Sequence, residues 1–98
     1  MINIMENSQN EIECIITGRV QMVMFRDFAC RRARRLGLTG TVQNLSDSSV
    51  RVIAQGEKAK LAKFIELLKK GSLLSKVENV QVTWHEPGAK FAGFKILY

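Results

Sequence analysis

The sequence is poor in the residues that build disulfide frameworks and metal sites. It has two cysteines, Cys14 and Cys30, and one histidine, His85. A disulfide framework needs more cysteines and an oxidising compartment, so two buried free thiols are the favoured interpretation, with one bridge or a reactive pair as alternatives. No clustered spacing of metal-binding residues occurs along the chain. We therefore expect no metal and no cofactor, and a structural role for His85.

Long apolar segments are also missing. No stretch approaches the roughly 20 apolar residues that are needed to cross a bilayer. Residues 1–10 are mostly polar and do not have the basic start and apolar centre of a secretory signal. With 98 residues the chain is long enough for one core. The sequence thus predicts a flexible lead-in over residues 1–10, a single domain over residues 11–98, and a cytoplasmic protein.

Basic residues outnumber acidic residues in this sequence. The chain is 46% hydrophobic and 24% charged, as in a soluble globular protein, and its net charge is +6. This balance favours anionic partners, but it does not choose among phosphorylated metabolites, nucleic acid and membrane surfaces. The basic residues lie in two clusters, which are typical of solvated helix faces. The clusters are Arg31, Arg32, Arg34 and Arg35, and Lys58, Lys60, Lys63, Lys69 and Lys70.

Hydrophobic periodicity predicts five strands and two amphipathic helices. The strands are expected over residues 11–19, 41–45, 50–54, 77–85 and 91–98, and the helices over residues 23–36 and 57–70. Trp84, in the fourth strand, is interpreted as a core residue. Two amphipathic helices need one shared apolar surface, which a sheet with both helices on one face supplies. The order β-α-β-β-α-β plus a C-terminal strand therefore predicts a ferredoxin-like α+β sandwich with a mostly antiparallel sheet.

The segment over residues 17–26 is a candidate anion site, because it connects a strand to a helix start. A helix start leaves backbone N–H groups without partners and carries a partial positive charge. Arg26 lies in the first turn, and its planar guanidinium can hold two phosphate oxygens. On loop geometry alone, a solvated arginine remains the alternative. For Asn44, at the end of a strand, the alternative is an ordinary turn residue.

Two linked motifs resemble those of the acylphosphatase family. The first is Gly18-x-Val20-Gln21-x-Val23-x-Phe25-Arg26, and the second is Gly40-x-Val42-x-Asn44 after the first helix. The family shows Gly-x-Val-Gln-Gly-Val-x-Phe-Arg and then Gly-x-Val-x-Asn. The likeness continues to the closing Phe94-x-Ile96-x-Tyr98 and covers nearly the whole chain from about residue 12.

The resemblance implies an enzyme that hydrolyses acyl phosphates to a carboxylate and inorganic phosphate without a metal. It implies that Arg26 binds the phosphate oxygens and that Asn44 holds the attacking water. It also implies that loop backbone N–H groups cradle the phosphate. These belong to Gln21, Met22, Val23, Met24 and Phe25. The expected partner is a small acyl phosphate, with no membrane and no nucleic acid, and the protein is expected to be a monomer.

Four positions depart from the family pattern. The second loop glycine is Met22, the hairpin glycine is Ser48, the proline after the second helix is Ser72, and the penultimate basic residue is Leu97. Met22 matters most. If its position needs a positive φ, a side chain costs about 1–2 kcal/mol there. If the glycine instead allows close backbone approach, methionine would crowd the phosphate. Either effect predicts reduced activity.

Two other functions remain open from the sequence. A catalytically weakened relative of the acylphosphatases would bind an anion or a protein without turnover. The presence of Met22 in the loop is the reason to consider this alternative. An RNA-binding domain has the same element order and a basic charge. Such a domain needs exposed aromatic residues on its central strands, and the first and third strands carry none. The RNA-binding alternative is therefore less favoured than the weakened relative.

Overall fold

The computed structural model describes residues 9–98, and its elements follow the predicted order. In chain order they are β1 (Asn10–Arg19), α1 (Phe25–Arg35), β2 (Thr39–Asn44), β3 (Val50–Gly56), α2 (Lys58–Lys70), β4 (Lys76–His85) and β5 (Phe94–Leu97). Most of the predicted lead-in, residues 1–8, lies outside the described residues. Asn10 already belongs to β1.

The five strands form one mixed sheet in the order β4-β1-β3-β2-β5. Every neighbouring pair is antiparallel except β2 and β5, which run parallel. Both helices pack against this sheet, α1 on β2 and β5, and α2 on β4, β3 and β1. The predicted ferredoxin-like sandwich is confirmed.

The core lies between the sheet and the two helices. Ile12, Cys14 and Ile16 alternate along β1 and are fully buried, because successive strand residues point to opposite faces. Both helices contribute the apolar stripe that their period predicts, since residues three and four apart share a helix face. From α1 these are Phe25, Phe28, Ala29 and Ala33, and from α2 they are Leu61, Phe64, Ile65 and Leu68. Each large apolar side chain buried in this way contributes roughly 1.5–3 kcal/mol.

The exposure predicted from the sequence is confirmed for the two basic clusters and is wrong for one aromatic residue. All nine basic residues of the two clusters are exposed, as predicted for solvated helix faces. Cys14 and Cys30 are buried free thiols, which confirms the favoured interpretation. The prediction that Trp84 is a core residue is wrong, since its side chain is 42% exposed. Trp84 shares a face with Ile12, but β4 is an edge strand and is less completely covered.

Strand register brings three chain segments together at one end of the strands. Val50, the first residue of β3, pairs with Ile16 near the end of β1 and with Asn44 at the end of β2. Because β5 is parallel to β2, Leu97, the last residue of β5, lies beside Gln43 at the same end of the sheet. The loop after β1, the end of β2 and the end of β5 are therefore neighbours.

Two glycines of the family motifs allow close strand pairing. Gly18 has φ 122° and lies at a bulge in the pairing of β1 with β4, where a Cβ atom would clash with the Lys76 carbonyl. Gly40 has φ 147°, and a Cβ atom there would clash with the Ile53 carbonyl. Both positions thus need glycine for its conformational freedom and for its lack of a side chain.

No helix among residues 9–98 has the length and apolar character to span a membrane.

Candidate active site

The loop between β1 and α1 adopts an unusual backbone conformation. Met22 and Met24 both lie in the left-handed region, with φ of 61° and 60°, although neither is glycine. Left-handed residues alternate here with residues in ordinary conformations, and successive N–H groups in such a loop can converge to form an anion-binding concavity. Within residues 9–98, the N–H groups of Met22, Val23 and Met24 have no hydrogen-bond partner. The loop therefore offers free donors at the start of α1.

The start of α1 adds to this positive potential. Met24 is the N-cap residue of α1, and its side chain makes no capping hydrogen bond. The N-terminal N–H groups of a helix have no intrahelical acceptors and carry the positive end of the helix dipole. An anion held by the loop would supply the acceptors that a capping side chain normally provides.

The side chain of Gln21 ties the loop to the β2–β3 hairpin. Its Nε2 donates hydrogen bonds to the carbonyl oxygens of Leu45 and Ser49, both at 2.8 Å. These two carbonyls belong to the turn that follows Asn44. Gln21 thus couples the position of the loop to the end of the strand that carries Asn44.

Arg26 extends from the first turn of α1 toward the end of β5. Its Nη1 donates to the Leu97 carbonyl oxygen at 3.3 Å, and its Cζ lies 4.8 Å from the centroid of the Tyr98 ring. A guanidinium over an aromatic face is attracted by the electron-rich ring. The end of β5 therefore orients Arg26.

Asn44 faces the same cavity as Arg26. The cavity has a volume of about 430 Å³, and its walls come from the loop, the first turn of α1, and the ends of β2 and β5. The carboxamide oxygen of Asn44 is buried and accepts no hydrogen bond from any of residues 9–98. Because a buried acceptor without a donor is unfavourable, this atom is suited to a donor from a water molecule or a ligand.

One acidic side chain also lines the cavity. Asp27, in the first turn of α1, forms an ion pair with Arg31, with 2.9 Å between Oδ2 and Nε. This contact directs the Asp27 carboxylate along the helix surface. The guanidinium of Arg26 has no acidic partner among the described residues. Its charge is therefore available to a bound anion.

Most of the predicted site residues line the cavity, but Gln21 and Val23 do not. Arg26, Asn44, Met22, Met24 and Phe25 line the cavity. The side chain of Gln21 is used in the hairpin contact, and Val23 lines a neighbouring groove instead. For both of these residues the prediction concerned the backbone N–H groups.

Sequence reasoning missed four further wall residues, Val20, Asp27, Ile96 and Tyr98. The proximity of Ile96 and Tyr98 depends on the parallel pairing of β5 with β2, which no local sequence pattern indicates. The available signals were the closing Phe94-x-Ile96-x-Tyr98 likeness and the position of Tyr98 at the end of the last strand.

The structure distinguishes between two possible effects of Met22, which are backbone strain at a positive φ and crowding of the phosphate by the side chain. The positive φ means that the side chain is conformationally strained here. The side chain itself is 98% exposed and extends into solvent at the cavity rim. Ser48, at the second missing glycine, also has a positive φ of 77°. The family glycines at these two positions thus correspond to left-handed backbone.

No group of three or more His, Cys, Asp or Glu side chains within residues 9–98 is arranged to hold a metal ion.

Comparisons with known proteins agree on one family. The acylphosphatase family model matches residues 12–96. The chain is 44% identical over 89 residues to the acylphosphatase of Salinibacter ruber, covering 91% of this chain and 94% of that protein. It is also 44% identical over 82 residues to the acylphosphatase of Thermus thermophilus, covering 84% and 92%. Its fold is similar to the crystal structure of acylphosphatase from Bacillus subtilis, with a TM-score of 0.88 and 36% identity over 91% of this chain and 99% of that chain.

Proposed function

The chain belongs to the acylphosphatase family, and from this premise we propose how its residues carry out the reaction. The enzyme hydrolyses the carboxyl–phosphate bond of a small acyl phosphate, and the products are a carboxylate and inorganic phosphate. The comparisons do not favour the alternative of a binding module without turnover, or that of an RNA-binding domain.

The loop and Arg26 hold the phosphoryl group. Free N–H groups of residues 22–24 and the first turn of α1 donate to two of its oxygens. Arg26 lies at the wall of the same cavity and binds the remaining charge through its planar guanidinium. Donors fixed in advance stabilise the charge that the phosphoryl oxygens carry in the transition state without reorganising.

Asn44 orients the attacking water. Its buried carboxamide oxygen accepts a hydrogen bond from the water and aims the water oxygen at phosphorus. A carboxamide has no useful basicity, so it does not remove a proton. As the new P–O bond forms, the bond from phosphorus to the acyl oxygen breaks and the carboxylate leaves with the electron pair. The proton of the water passes to a phosphoryl oxygen of the substrate itself.

One observation carries this assignment. The guanidinium of Arg26, which has no acidic partner among the described residues, and the unpartnered carboxamide oxygen of Asn44 line one cavity beside the loop N–H groups. Had strand pairing placed these two side chains on opposite sides of the sheet, no single phosphoryl group could contact both.

The test is hydrolysis of benzoyl phosphate by the purified wild type, Arg26→Ala and Asn44→Ala. Removing one well-aimed donor from a comparable oxyanion site lowers the rate by about 10²–10³, and we expect a loss of this size in each variant. Matched controls are Arg35→Ala and Asn79→Ala, which change exposed residues outside the cavity. Equal rates in all five proteins would overturn the site assignment.

The remaining partner and location predictions have their own tests. A monomer in the cytoplasm is proposed on the sequence alone. Size-exclusion chromatography with light scattering measures the first point, and cell fractionation measures the second. A stable dimer, or recovery in a membrane or exported fraction, would contradict the proposal.

A further inference from the structure

A second depression adjoins the phosphate cavity. This acyl groove, as we name it, has a volume of about 370 Å³ and lies between the β1–α1 loop, one face of α1 and residues 71–74 after α2. Its main walls are Val23 and Met24, Phe28 and Arg32, and Leu73 and Leu74. The volume is within the range of small-molecule sites. The mechanism above makes no use of this groove.

The acyl groove is continuous with the phosphate cavity through Met24. Met24 lines both depressions, whereas Arg26 and Asn44 line only the phosphate cavity. In phosphoryl transfer the attacking and leaving oxygens lie roughly in line on opposite sides of phosphorus. With the water held at Asn44, the acyl group points away from Asn44. The groove on the far side of Met24 is therefore positioned to receive it.

Part of the acyl groove is formed by exposed apolar side chains. Met24, Leu73 and Leu74 are 73%, 97% and 66% exposed. Isolated exposed leucines need no explanation, but a contiguous cluster beside a cavity is typical of a binding surface. These three side chains come from two segments that are far apart in sequence, so the fold assembles the cluster.

The guanidinium groups of both arginines at the acyl groove are engaged in contacts within α1. Arg31 is engaged with Asp27 at 2.9 Å, and the Cζ of Arg32 lies 5.6 Å from the centroid of the Phe28 ring. The charge of Arg31 is thus paired with a carboxylate, and the guanidinium of Arg32 lies over the aromatic face of Phe28. The apolar walls of the groove are therefore those at Val23, Met24 and Leu74.

We propose that the acyl groove binds the acyl group of the substrate and that the enzyme favours acyl phosphates with an extended, uncharged apolar chain. This inference rests on the proposed function, since it assumes that a phosphoryl group is held at Arg26. Burying one methylene improves binding by about threefold to fourfold. Because the groove is open to solvent, a medium chain is only partly buried there.

The test compares acetyl phosphate, butanoyl phosphate and octanoyl phosphate as substrates of the wild-type enzyme. We expect kcat/KM to rise from acetyl to octanoyl phosphate by at least about 30-fold, corresponding to roughly half of the full burial of six methylenes. The change should appear mainly in KM, because the chain contacts are the same in the ground state and the transition state.

Substitution of the two exposed leucines of the acyl groove tests whether the groove contacts the acyl chain. Leu73→Ser and Leu74→Ser change side chains that are mostly in solvent, so both variants are expected to fold. Each should lower kcat/KM for octanoyl phosphate by about threefold to tenfold and leave acetyl phosphate hydrolysis unchanged. Trp84→Ser, an exposed apolar position outside the groove, is the control and should not alter the chain-length preference.

The outcomes separate this inference from the proposed function. If no acyl phosphate is hydrolysed, the proposed function fails. If all three substrates are hydrolysed equally well, or if the leucine variants affect acetyl and octanoyl phosphate alike, the acyl-groove inference alone is overturned. Dimer formation that is lost in both leucine variants, with no dependence of kcat/KM on chain length, would assign the surface to self-association and also overturn it.

Discussion

The guanidinium of Arg26 lies 4.8 Å from the ring centroid of Tyr98, 72 positions along the chain. The same guanidinium donates to the carbonyl oxygen of Leu97 at 3.3 Å. The ring is 93% exposed, so little else holds it in place. The end of the last strand thus contributes to the proposed active site by orienting the arginine of the first helix.

Tyr98→Ala should therefore lower kcat/KM for benzoyl phosphate. A cation–π contact at an exposed site is worth about 0.5–1 kcal/mol, which corresponds to a loss of roughly twofold to fivefold. Tyr98→Phe keeps the aromatic face and should retain nearly the wild-type value. Steady-state kinetics on the three proteins measure this. An equal loss in both variants would show that the hydroxyl group, rather than the ring, is responsible.

Met22→Gly should stabilise the protein slightly and raise catalytic efficiency. The left-handed conformation costs a side chain about 1–2 kcal/mol, and the greater freedom of glycine in the unfolded chain offsets about 0.5–1 kcal/mol of that. The expected net gain is about 0–1.5 kcal/mol, with a rise in kcat/KM of at most about tenfold. Urea unfolding and benzoyl phosphate kinetics provide the measurements.

Met22→Ala is the matched control for this prediction. It removes the exposed part of the side chain but retains the Cβ atom that makes a positive φ unfavourable. We expect it to resemble the wild type in both measurements. A gain in Met22→Ala as large as in Met22→Gly would point to side-chain bulk instead of backbone strain.

Gln21→Ala should destabilise the fold and weaken phosphate binding. It removes the donor for two carbonyl oxygens, those of Leu45 and Ser49. At about 0.5–1.5 kcal/mol for each hydrogen bond, the free energy of unfolding should fall by about 1–3 kcal/mol. KM for the acyl phosphate should rise because the loop loses its anchor. Gln81→Ala, an exposed glutamine on β4, is the control and should change neither quantity.

Glu11 should make the stability depend on pH in the acidic range. Burial of this carboxyl opposes its ionisation, but hydrogen bonds from Gln55 and Gly88 and the nearby charge of His85 lower its pKa below the usual 4.5. A lowered pKa stabilises the fold above the unfolded-state value. That contribution is lost as the pH falls from about 4.5 through the folded-state pKa.

Urea unfolding of the wild type and Glu11→Gln between pH 3 and pH 7 tests this prediction. At pH 7 the variant should be less stable by about 1.5–3 kcal/mol, the usual range for a hydrogen bond to a charged group. The difference should shrink as the pH falls below 4. A difference that stays constant over this range would mean that the ionisation of Glu11 does not contribute.

Cys14 should be inert toward thiol reagents in the folded protein. Burial, together with the charge of Glu13, raises its pKa to about 12. At pH 8 only about one molecule in ten thousand then carries the reactive thiolate. We expect Cys30→Ala to react slowly with a disulfide reagent when native, and to yield one thiol per chain when denatured. Rapid reaction of the native variant would contradict the buried position.

The same shift predicts loss of stability at alkaline pH. The unfolded thiol ionises near its ordinary value of 9.0, whereas the folded thiol stays protonated up to about 12. The unfolded state therefore releases a proton first, and stability falls as the pH rises from 9 toward 12. A Cys14→Ala variant should lack this part of the alkaline decline in chemical unfolding experiments. Parallel declines would assign it to other groups.

The sequence by itself determined the order of the elements, the faces of the helices and the family. These features depend on local periodicity and on residues close together in the chain, such as the loop from Gly18 to Arg26. Periods of two and 3.6 residues report which face is buried, whatever the partner. Trp84 shows the limit, because alternation places it on the core side of β4 but cannot indicate that β4 is an edge strand.

Only the tertiary structure decided how the proposed active site is assembled. Strand order and register bring Asn44 and Tyr98 to the cavity that Arg26 lines, and backbone geometry shows that Met22 and Met24 are both left-handed. The acyl groove likewise joins a loop near residue 24 to a turn near residue 73. Such contacts arise from packing two helices on one sheet, and their free energy is shared among many residues. No short segment of sequence carries that information.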